Sequence, residues 1–133
     1  MSIPVSFSER DLSRGTIVTP GWYRMKIDSV TTKPSKDNTS TNYVVEGTVI
    51  CNADDGSVDF ANCVITWNFN SKAPGFMQGI FKALLNTDKL VPGERYDLQA
   101  CEGKELDVFV ENGEYEGRIV NRVPHRYRYP KQG

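Results

Sequence analysis

Apolar side chains recur at helical spacing in one stretch of the chain, residues 73–85. They fall at positions i, i+1, i+4, i+5, i+8 and i+9, which together form a single stripe along a helix. The stripe consists of Phe76, Met77, Ile80, Phe81, Leu84 and Leu85. Pro74 is tolerated in a first turn, because an N–H at that position has no intrahelical partner. The pattern predicts one helix over 73–85.

Alternation of apolar and polar residues, which is typical of a half-buried strand, begins at Gly21. One side of this first predicted strand holds Tyr23, Met25 and Ile27. The other side holds Trp22, Arg24 and Lys26. An aromatic ring beside two cations fits a nucleic-acid contact, and it also fits an ordinary strand whose charges are solvated. Both interpretations stay open.

Four later segments, 43–51, 62–69, 105–111 and 118–123, also favour strands, since each is rich in β-branched or aromatic residues. Gly47 lies inside the second strand, where glycine often marks a bulge or bend. Turn signals lie at 52–56, at Asn112-Gly113 and at Gly117. The polar, cationic stretch 31–42 is a loop that either only connects two strands or folds over a phosphate backbone.

The predicted order is strand, strand, strand, helix, strand, strand. This order, with a glycine-bent second strand, matches the five-stranded Greek-key barrel called the OB-fold, in which the helix plugs the barrel between strands 3 and 4. We therefore expect one all-β domain with one helix, an OB-fold-like barrel over 21–123. Residues 1–20 are expected to form an N-terminal arm, with a capping box of Ser6 and Glu9 opening a short helical turn. Residues 124–133 are expected to form a basic, aromatic C-terminal tail.

Charge is distributed unevenly, although the formal net charge is only -1. Residues 101–117 hold six acids against one lysine, whereas residues 118–133 hold five cations and no acid. A near-neutral total by itself argues against a nucleic-acid partner, but the basic C-terminus argues for one. Its alternating tyrosines and arginines either cap the barrel, contact a neighbouring subunit, or form a mobile tail that adds stacking and charge to DNA binding.

Apolar runs are too short to span a bilayer, and the polar N-terminus lacks the apolar core of a signal peptide. We therefore expect a soluble, cytoplasmic protein. Three cysteines, Cys51, Cys63 and Cys101, form no C-x-x-C pair, so we expect them to be reduced and to pack as small apolar residues. A bridge between Cys51 and Cys63, which flank one turn, stays open.

Catalytic and metal-binding patterns are missing from the chain. Its single histidine, His125, excludes a two-histidine metal motif and makes a Ser-His-Asp arrangement a poor fit. Asp54, Asp55 and Asp59 lack the frame of an EF-hand loop and are expected to form a solvated turn. We expect a protein that is not an enzyme and that has no metal and no cofactor.

A binding surface is the remaining chemistry, because single strands are held by rings that stack on bases and by cations that follow the phosphates. The candidate stacking residues are Trp22, Tyr43, Trp67, Tyr127 and Tyr129. The candidate phosphate contacts are Arg24, Lys26, Lys33, Lys36, Lys72, Arg118, Arg122, Arg126 and Arg128. They come from segments that line the groove of an OB-fold. For the rings of the third strand, Trp67 among them, packing in the core is the competing interpretation.

Short motifs across most of the chain resemble a family of small phage-encoded proteins, some of which are associated with single-stranded DNA binding in replication and recombination modules. The motifs are Pro20-Gly21-Trp22-Tyr23, Lys26-Ile27, Lys33-Pro34-Ser35-Lys36, Gly103-Lys104, Tyr115-x-Gly-Arg118 and Asn121-x-Val123. The resemblance implies a sequence-tolerant, OB-fold-like binder that acts in the cytoplasm of the host cell. It implies DNA contacts at Trp22, Lys26, Lys33, Lys36 and Arg118. Unlike many cellular single-strand binders, this chain has a basic C-terminus, which argues against an acidic tail that recruits replication proteins.

Three functions compete at this stage. The first is a single-stranded DNA-binding protein, with replication proteins as further partners and a homo-oligomer as one arrangement. The second is a module that binds a replisome or host protein, which the near-neutral charge and the acidic segment 101–117 favour. The third is an oligosaccharide binder, which would use the same rings and few of the cations. Salt separates phosphate binding from sugar binding, because only the former weakens steeply as salt rises.

Overall fold

The computed structural model describes residues 2–6 and 16–130. In these residues the chain forms six antiparallel strands and one α-helix. The strands are β1 (Gly21–Pro34), β2 (Thr41–Asn52), β3 (Val64–Asn70), β4 (Glu105–Tyr115), β5 (Arg118–Arg122) and β6 (Tyr127–Arg128). The helix α1 (Gln78–Leu85) lies between β3 and β4, and short 3-10 turns cover Pro74–Met77 and Leu98–Cys101. The prediction of a mostly-β fold with one α-helix is confirmed.

The strands form a single sheet in the order β3-β2-β1-β4-β5, with β6 paired to β4. Within the described residues, β3 and β5 end this order without pairing, so the sheet is open. A closed barrel of five strands is therefore not what forms here. Residues 16–18 lie at this opening, where Asn121 of β5 holds them through its side chain.

β1 organises the sheet, because it pairs with β2 along most of its length and with β4 through Gly21–Lys26. The predicted bulge is present near Gly47, and its extra residue is Asp28 on the partner strand β1. A Cβ on Gly47 would lie 2.9 Å from Met25 Cε and 3.3 Å from the Lys26 carbonyl oxygen. Glycine at this point lets the two strands approach closely beside the bulge.

The core lies on the inward side of the strands, and α1 covers it. The predicted inward side of β1 is confirmed, since Tyr23, Met25 and Ile27 are all buried. On β3, Ile65, Trp67 and Phe69 point into the same core. On β4, Leu106, Val108 and Val110 do so as well. The period-two pattern thus identified the buried faces of β1 and β4, whereas for β3 it left core packing and stacking on bases open.

The helix is shorter than its apolar stripe predicts. α1 begins at Gln78, because Pro74 and Gly75 lie in the preceding 3-10 turn, where both residue types are tolerated better than inside an α-helix. Ile80 and Phe81 are buried, whereas the ends of the stripe, Phe76 and Leu85, are exposed. Asn86 ends the helix in the left-handed conformation, with φ 50°.

The hairpin between β4 and β5 turns later than one of the two sequence signals predicts. Asn112 and Gly113 lie inside β4 and pair with β5, so the turn predicted there is wrong. The turn is at Glu116-Gly117, with φ of 51° and 76°, as in a two-residue type I′ hairpin. Gly113 instead makes room for the stem of Arg122, whose Cδ would lie 3.2 Å from a Cβ at Gly113.

The C-terminal segment continues along β4 rather than leaving the sheet. In the register, Arg122 is opposite Glu111 and Arg128 is opposite Asp107. The C-terminal segment thus advances six residues while β4 advances four, so the pairing is interrupted between β5 and β6. Pro124 and His125, the latter at φ 57°, lie in the interruption. Of the interpretations of the tail, residues 124–130 fit the one in which it caps the sheet; residues 131–133 lie outside the described residues.

The N-terminal arm is described in two pieces, 2–6 and 16–20. Of the predicted capping box, Ser6 is described and exposed, whereas Glu9 lies outside the described residues. Val18 is 1% exposed and belongs to the core. The arm therefore contributes to the fold through its second piece.

All three cysteines are free thiols, so Cys51 and Cys63 do not pair. Burial raises the pKa of Cys101 to about 11, and the nearby charge of Asp97 acts in the same direction. Burial also raises the pKa of Cys63. A raised pKa disfavours the reactive thiolate, so these two cysteines act as small core residues. In the described part of the chain, no helix is long and apolar enough to cross a membrane.

Candidate functional site

Three of the predicted stacking residues lie on the core side of the sheet. Trp67 is only 7% exposed, so its faces are covered and the core-packing interpretation holds for it. Tyr43 and Tyr127 are partly buried and pack against the core. Burial raises the pKa of Tyr127 well above its ordinary range. Tyr129, by contrast, is exposed.

Trp22 lies on the outer face, beside a ring that the sequence did not single out. Its register partner on β4 is Phe109, and the two ring centroids are 5.5 Å apart in an edge-to-face arrangement. The Arg126 guanidinium lies 4.5 Å from the Phe109 centroid and 5.5 Å from that of Trp22. Arg128 lies 4.2 Å above Trp22. Guanidinium groups at these distances form cation–π contacts.

A buried carboxylate lies beneath these rings. Asp107 is 0% exposed and accepts from Arg24 Nε at 3.3 Å and from Arg128 Nε at 3.4 Å. Arg128 also donates to Asp54 at 2.7 Å. We call the group the aromatic–arginine cluster. It consists of Trp22, Arg24, Asp107, Phe109, Arg126 and Arg128.

The three arginines of this cluster differ in their partners. Arg24 and Arg128 hold the buried carboxylate of Asp107, so much of their charge is neutralised within the fold. Arg126 is exposed, and no described residue forms an ion pair with it. The contact with Phe109 restricts its side chain, although the residue is exposed. Of the three arginines in the cluster, Arg126 is therefore the one available to bind an anion.

Three lysines surround the loop between β1 and β2, and we call them the lysine patch. It consists of Lys33, Lys36 and Lys72. Lys72 comes near the loop because Asn70 donates to both Ser40 and Asn42, which ties the end of β3 to the start of β2. The Lys72 ammonium donates to Thr39 at 2.5 Å. Lys33 and Lys36 are exposed; Lys33 lies near the end of β1, and Lys36 lies in the turn that follows.

Asp37 orders this loop from within. Its carboxylate accepts from the Ser35 hydroxyl at 2.7 Å and from the backbone and hydroxyl of Thr39 at 3.1 and 2.7 Å. These hydrogen bonds, Ser35 first, lower the pKa of Asp37 to about 2. The loop between β1 and β2 is thus shaped by its own polar side chains, and Lys36 lies in a defined turn.

The outward row of β1 connects the cluster with the patch. Trp22 and Arg24 lie at its start, Lys26 follows, and Lys33 lies near its end. Lys26 is exposed and has Glu105 as its neighbour on β4. One predicted ring, Trp22, therefore shares a side of β1 with the predicted cations Arg24, Lys26 and Lys33.

Arg118 and Arg122 lie elsewhere, at the opening between β3 and β5, which we call the seam. Two cavities of about 380 and 290 Å³ lie along it, and both are lined by Thr66 and Asn121. Arg118 lines the first cavity and Arg122 the second, where Trp67 and His125 complete the lining. Among the described residues, the buried Trp67 N–H has no hydrogen-bond partner. It lies near the Tyr127 hydroxyl and opposes part of the rise in the pKa of Tyr127.

Sequence reasoning missed Phe109, Asp107 and Asn121 as parts of these sites. The alternation of β4 places Phe109 and Asp107 on its outward side, but only the register with β1 shows that they meet Trp22 and Arg24. Asp107 carried no sign of being buried, since an acid at an outward position is usually solvated. Asn121 gave no signal of its partners, which are distant in sequence.

In the described residues, no group of three or more His, Cys, Asp or Glu side chains could hold a metal ion. Asp54 and Asp55 instead lie in a turn whose backbone N–H groups donate to Asn52. The arrangement offers aromatic rings, guanidinium groups and ammonium groups, which can contact anions and other rings.

Comparison with models of known protein families found no match, and comparison with curated proteins found none either. The resemblance to phage-encoded proteins therefore stays a prediction. The function has to be argued from the residues themselves.

Proposed function

We propose that this protein binds single-stranded DNA without sequence preference, through the outward row of β1. The observation that carries the proposal is that this row joins the aromatic–arginine cluster to the lysine patch. Stacking rings and cations along one path are what a single strand requires. We propose further, from the resemblance described above, that the protein is viral and supports DNA replication or recombination.

The strand order supports an OB-fold-like assignment. β3-β2-β1-β4-β5 with a helix between β3 and β4 is the order of that fold, and only the pairing of β3 with β5 is missing in the described residues. OB-folds bind oligonucleotides on the face of strands 2 and 3, through the loop between strands 4 and 5, and through the loop between strands 1 and 2. In this chain that loop carries Lys36 and is flanked by Lys33 and Lys72.

Stacking in this proposal falls to Trp22 and Phe109. Base–aromatic stacking contributes about 1–3 kcal/mol per base. Trp22 is half-buried, so one part of its ring is fixed by the cluster while another part meets solvent. Arg126, stacked on Phe109, would pair with a phosphate next to the stacked base.

Phosphate contacts along the rest of the row fall to Lys26, Lys33 and Lys36, which are exposed. Each neutralised phosphate releases counterions, so the logarithm of the binding constant falls with the logarithm of salt by about 0.7 per contact for single strands. Arg24 contributes less, because it already holds Asp107. The proposal therefore gives more weight to lysines than to the buried side of the cluster.

The test is fluorescence anisotropy of a labelled dT oligonucleotide over a salt series, with a duplex of equal length as the competitor. Trp22→Ala should weaken binding about tenfold, in line with the loss of one stacked base. Lys33→Ala with Lys36→Ala should weaken binding and lower the salt slope by about 1.4, twice the value per contact. Lys89→Ala with Arg95→Ala removes two exposed cations from outside the row and should change neither quantity.

Tryptophan emission tests the site independently of the label. Trp67→Phe leaves Trp22 as the single emitter, and dT should quench it; Trp22→Phe leaves the buried Trp67, which dT should quench little. Absence of binding at low salt, or duplex binding as tight as single-strand binding, would sink the proposal. Binding that ignores salt would point to the oligosaccharide alternative.

A further inference from the structure

The two strand edges at the seam lack backbone partners within the described residues. β3 pairs with β2 and β5 pairs with β4, so each has one edge that is not part of a ladder. Unpaired N–H and C=O groups on a strand edge are a template for another strand. Residues of both edges line the same two cavities, which share Thr66 and Asn121 in their linings.

The chain itself already lays an extended segment against one end of the seam. Asn121 accepts from the Val18 N–H at 3.0 Å and donates to the Thr16 carbonyl at 2.7 Å. A side-chain amide thus satisfies one donor and one acceptor of a passing backbone. The segment 16–18, which we call the strap, shows that backbone fits beside β5.

The lining of the seam alternates in character. Ile119 and Ile17 line the first cavity and stay 65% and 38% exposed, respectively, which is unusual for two isoleucines that share one cavity. Arg118 and Arg122 are on the other side of β5, because residues of a strand alternate between faces. A strand entering the seam would meet apolar side chains on one face and guanidinium groups on the other.

We propose that the seam binds an extended, acidic segment of a partner protein, added as a strand with alternating apolar and acidic residues. The apolar residues cover Ile17 and Ile119, and the acidic residues pair with Arg118 and Arg122. The backbone of the added strand pairs with the free edges of β3 and β5. This mode of recognition takes its affinity from main-chain hydrogen bonds and its specificity from alternate side chains.

A peptide fits the seam better than DNA does. Single-stranded DNA offers no ladder of amide and carbonyl groups to a strand edge, and its backbone carries no apolar row to cover Ile119. The seam also lies away from the outward row of β1, so the proposal does not depend on DNA binding. Failure of either proposal leaves the other intact.

The probe is a labelled heptapeptide of alternating valine and glutamate, acetylated and amidated at its ends. We expect saturable anisotropy with the full chain. The same peptide with lysine for glutamate should bind at least about tenfold more weakly, since like charges would face Arg118 and Arg122. A version methylated on alternate backbone nitrogens should not bind, because it loses the donors of a ladder.

Variants and hydrogen exchange locate the site. Arg118→Ala with Arg122→Ala should weaken the glutamate peptide about tenfold, and Ile119→Asp, at an exposed position that tolerates a polar residue, should abolish binding. Saturating peptide should slow amide exchange in 64–70 and 118–122. Three outcomes would overturn the proposal: equal binding of the lysine and glutamate peptides, slowed exchange only at the lysine patch, or displacement of the peptide by dT. Displacement by dT would mean that nucleic acid occupies the seam.

Discussion

The strand β6 near the C-terminus and the strap at 16–18 both lie against the sheet, but they are attached in different ways. The C-terminal strand β6 pairs with β4 through its backbone, and Arg128 of β6 reaches the buried Asp107. The N-terminal strap at 16–18 is held beside β5 by the side chain of Asn121. One attachment combines backbone pairing, an ion pair and ring contacts; the other shows two hydrogen bonds to one amide and the burial of Val18.

This difference separates charges that hold the fold from charges that can meet a partner. Arg24 and Arg128 were candidates for phosphate contacts, yet both face Asp107. Lys26, Lys33 and Arg126 are exposed on the same outer face. A count of basic residues therefore overstates the number of cations that are free to meet the DNA of the proposed function, and the ion pairs of Arg128 in the C-terminal attachment account for part of the difference.

Asp107→Asn should have the largest effect, because it removes the charge that two arginines share in the interior. Removing one member of a fully buried pair typically costs about 3–5 kcal/mol. Arg24 and Arg128 are 24% and 28% exposed and Arg128 keeps Asp54 as a partner, so we expect the low end of that range, about 3 kcal/mol. We expect the urea midpoint to fall by the corresponding amount with an unchanged m-value. Amide exchange of Tyr127 and Arg128 should become faster, because β6 loses its anchor.

Glu111→Gln is the matched control on the same strand. Its carboxylate lies 3.5 Å from Arg122 Nε in an exposed pair, for which a change of about 1 kcal/mol or less is expected. If both substitutions lowered the midpoint equally, Asp107 would not be the anchor of the C-terminal strand.

Asn121→Ala should have an intermediate effect and should act on the other attachment. It removes both hydrogen bonds to the strap, for a cost of about 1–3 kcal/mol. The exchange of the Val18 amide should rise more than that of the β4 amides. Asn112→Ala, at the paired and more exposed position on β4, is the control. Unchanged protection of Val18 would show that burial alone holds the strap.

Most of the fold could be predicted from the sequence because period-two burial is a local signal. Residues 23, 25 and 27 and residues 106, 108 and 110 alternate as the buried faces of β1 and β4 do. The position of the hairpin turn at Glu116-Gly117 was harder to predict, because Asn112-Gly113 carries the stronger turn signal. In the structure Gly113 lies in β4 instead and packs against the side chain of Arg122. The sixth strand was missed because a two-residue strand has no periodicity of its own.

The candidate site could be predicted only in part, because it depends on which strands are neighbours. The outward position of Trp22 follows from alternation, but its contact with Phe109 follows from the register of β1 and β4. Trp67 has the same alternation and faces the core, so the pattern alone could not choose between the two tryptophans. The seam had no sequence signal, since it results from the missing pairing of β3 with β5.

His125, which lies between the two attachments, should give the smallest effect, a change of stability with pH. Its ring stacks on Phe69 with centroids 4.7 Å apart, and burial first, then the charge of Arg122, lower its pKa below the ordinary value of 6.5. Below about pH 6.5 the unfolded chain therefore binds a proton more readily than the folded protein, so the free energy of unfolding should fall as pH drops towards the lowered pKa. It is the chain's single histidine, so no other side chain with an ordinary pKa titrates between pH 5.5 and 7.

His125→Asn keeps a residue that tolerates the φ of 57° and should flatten the slope of stability against pH over this range, measured by urea unfolding. A slope that persists in His125→Asn would mean that another group carries the dependence.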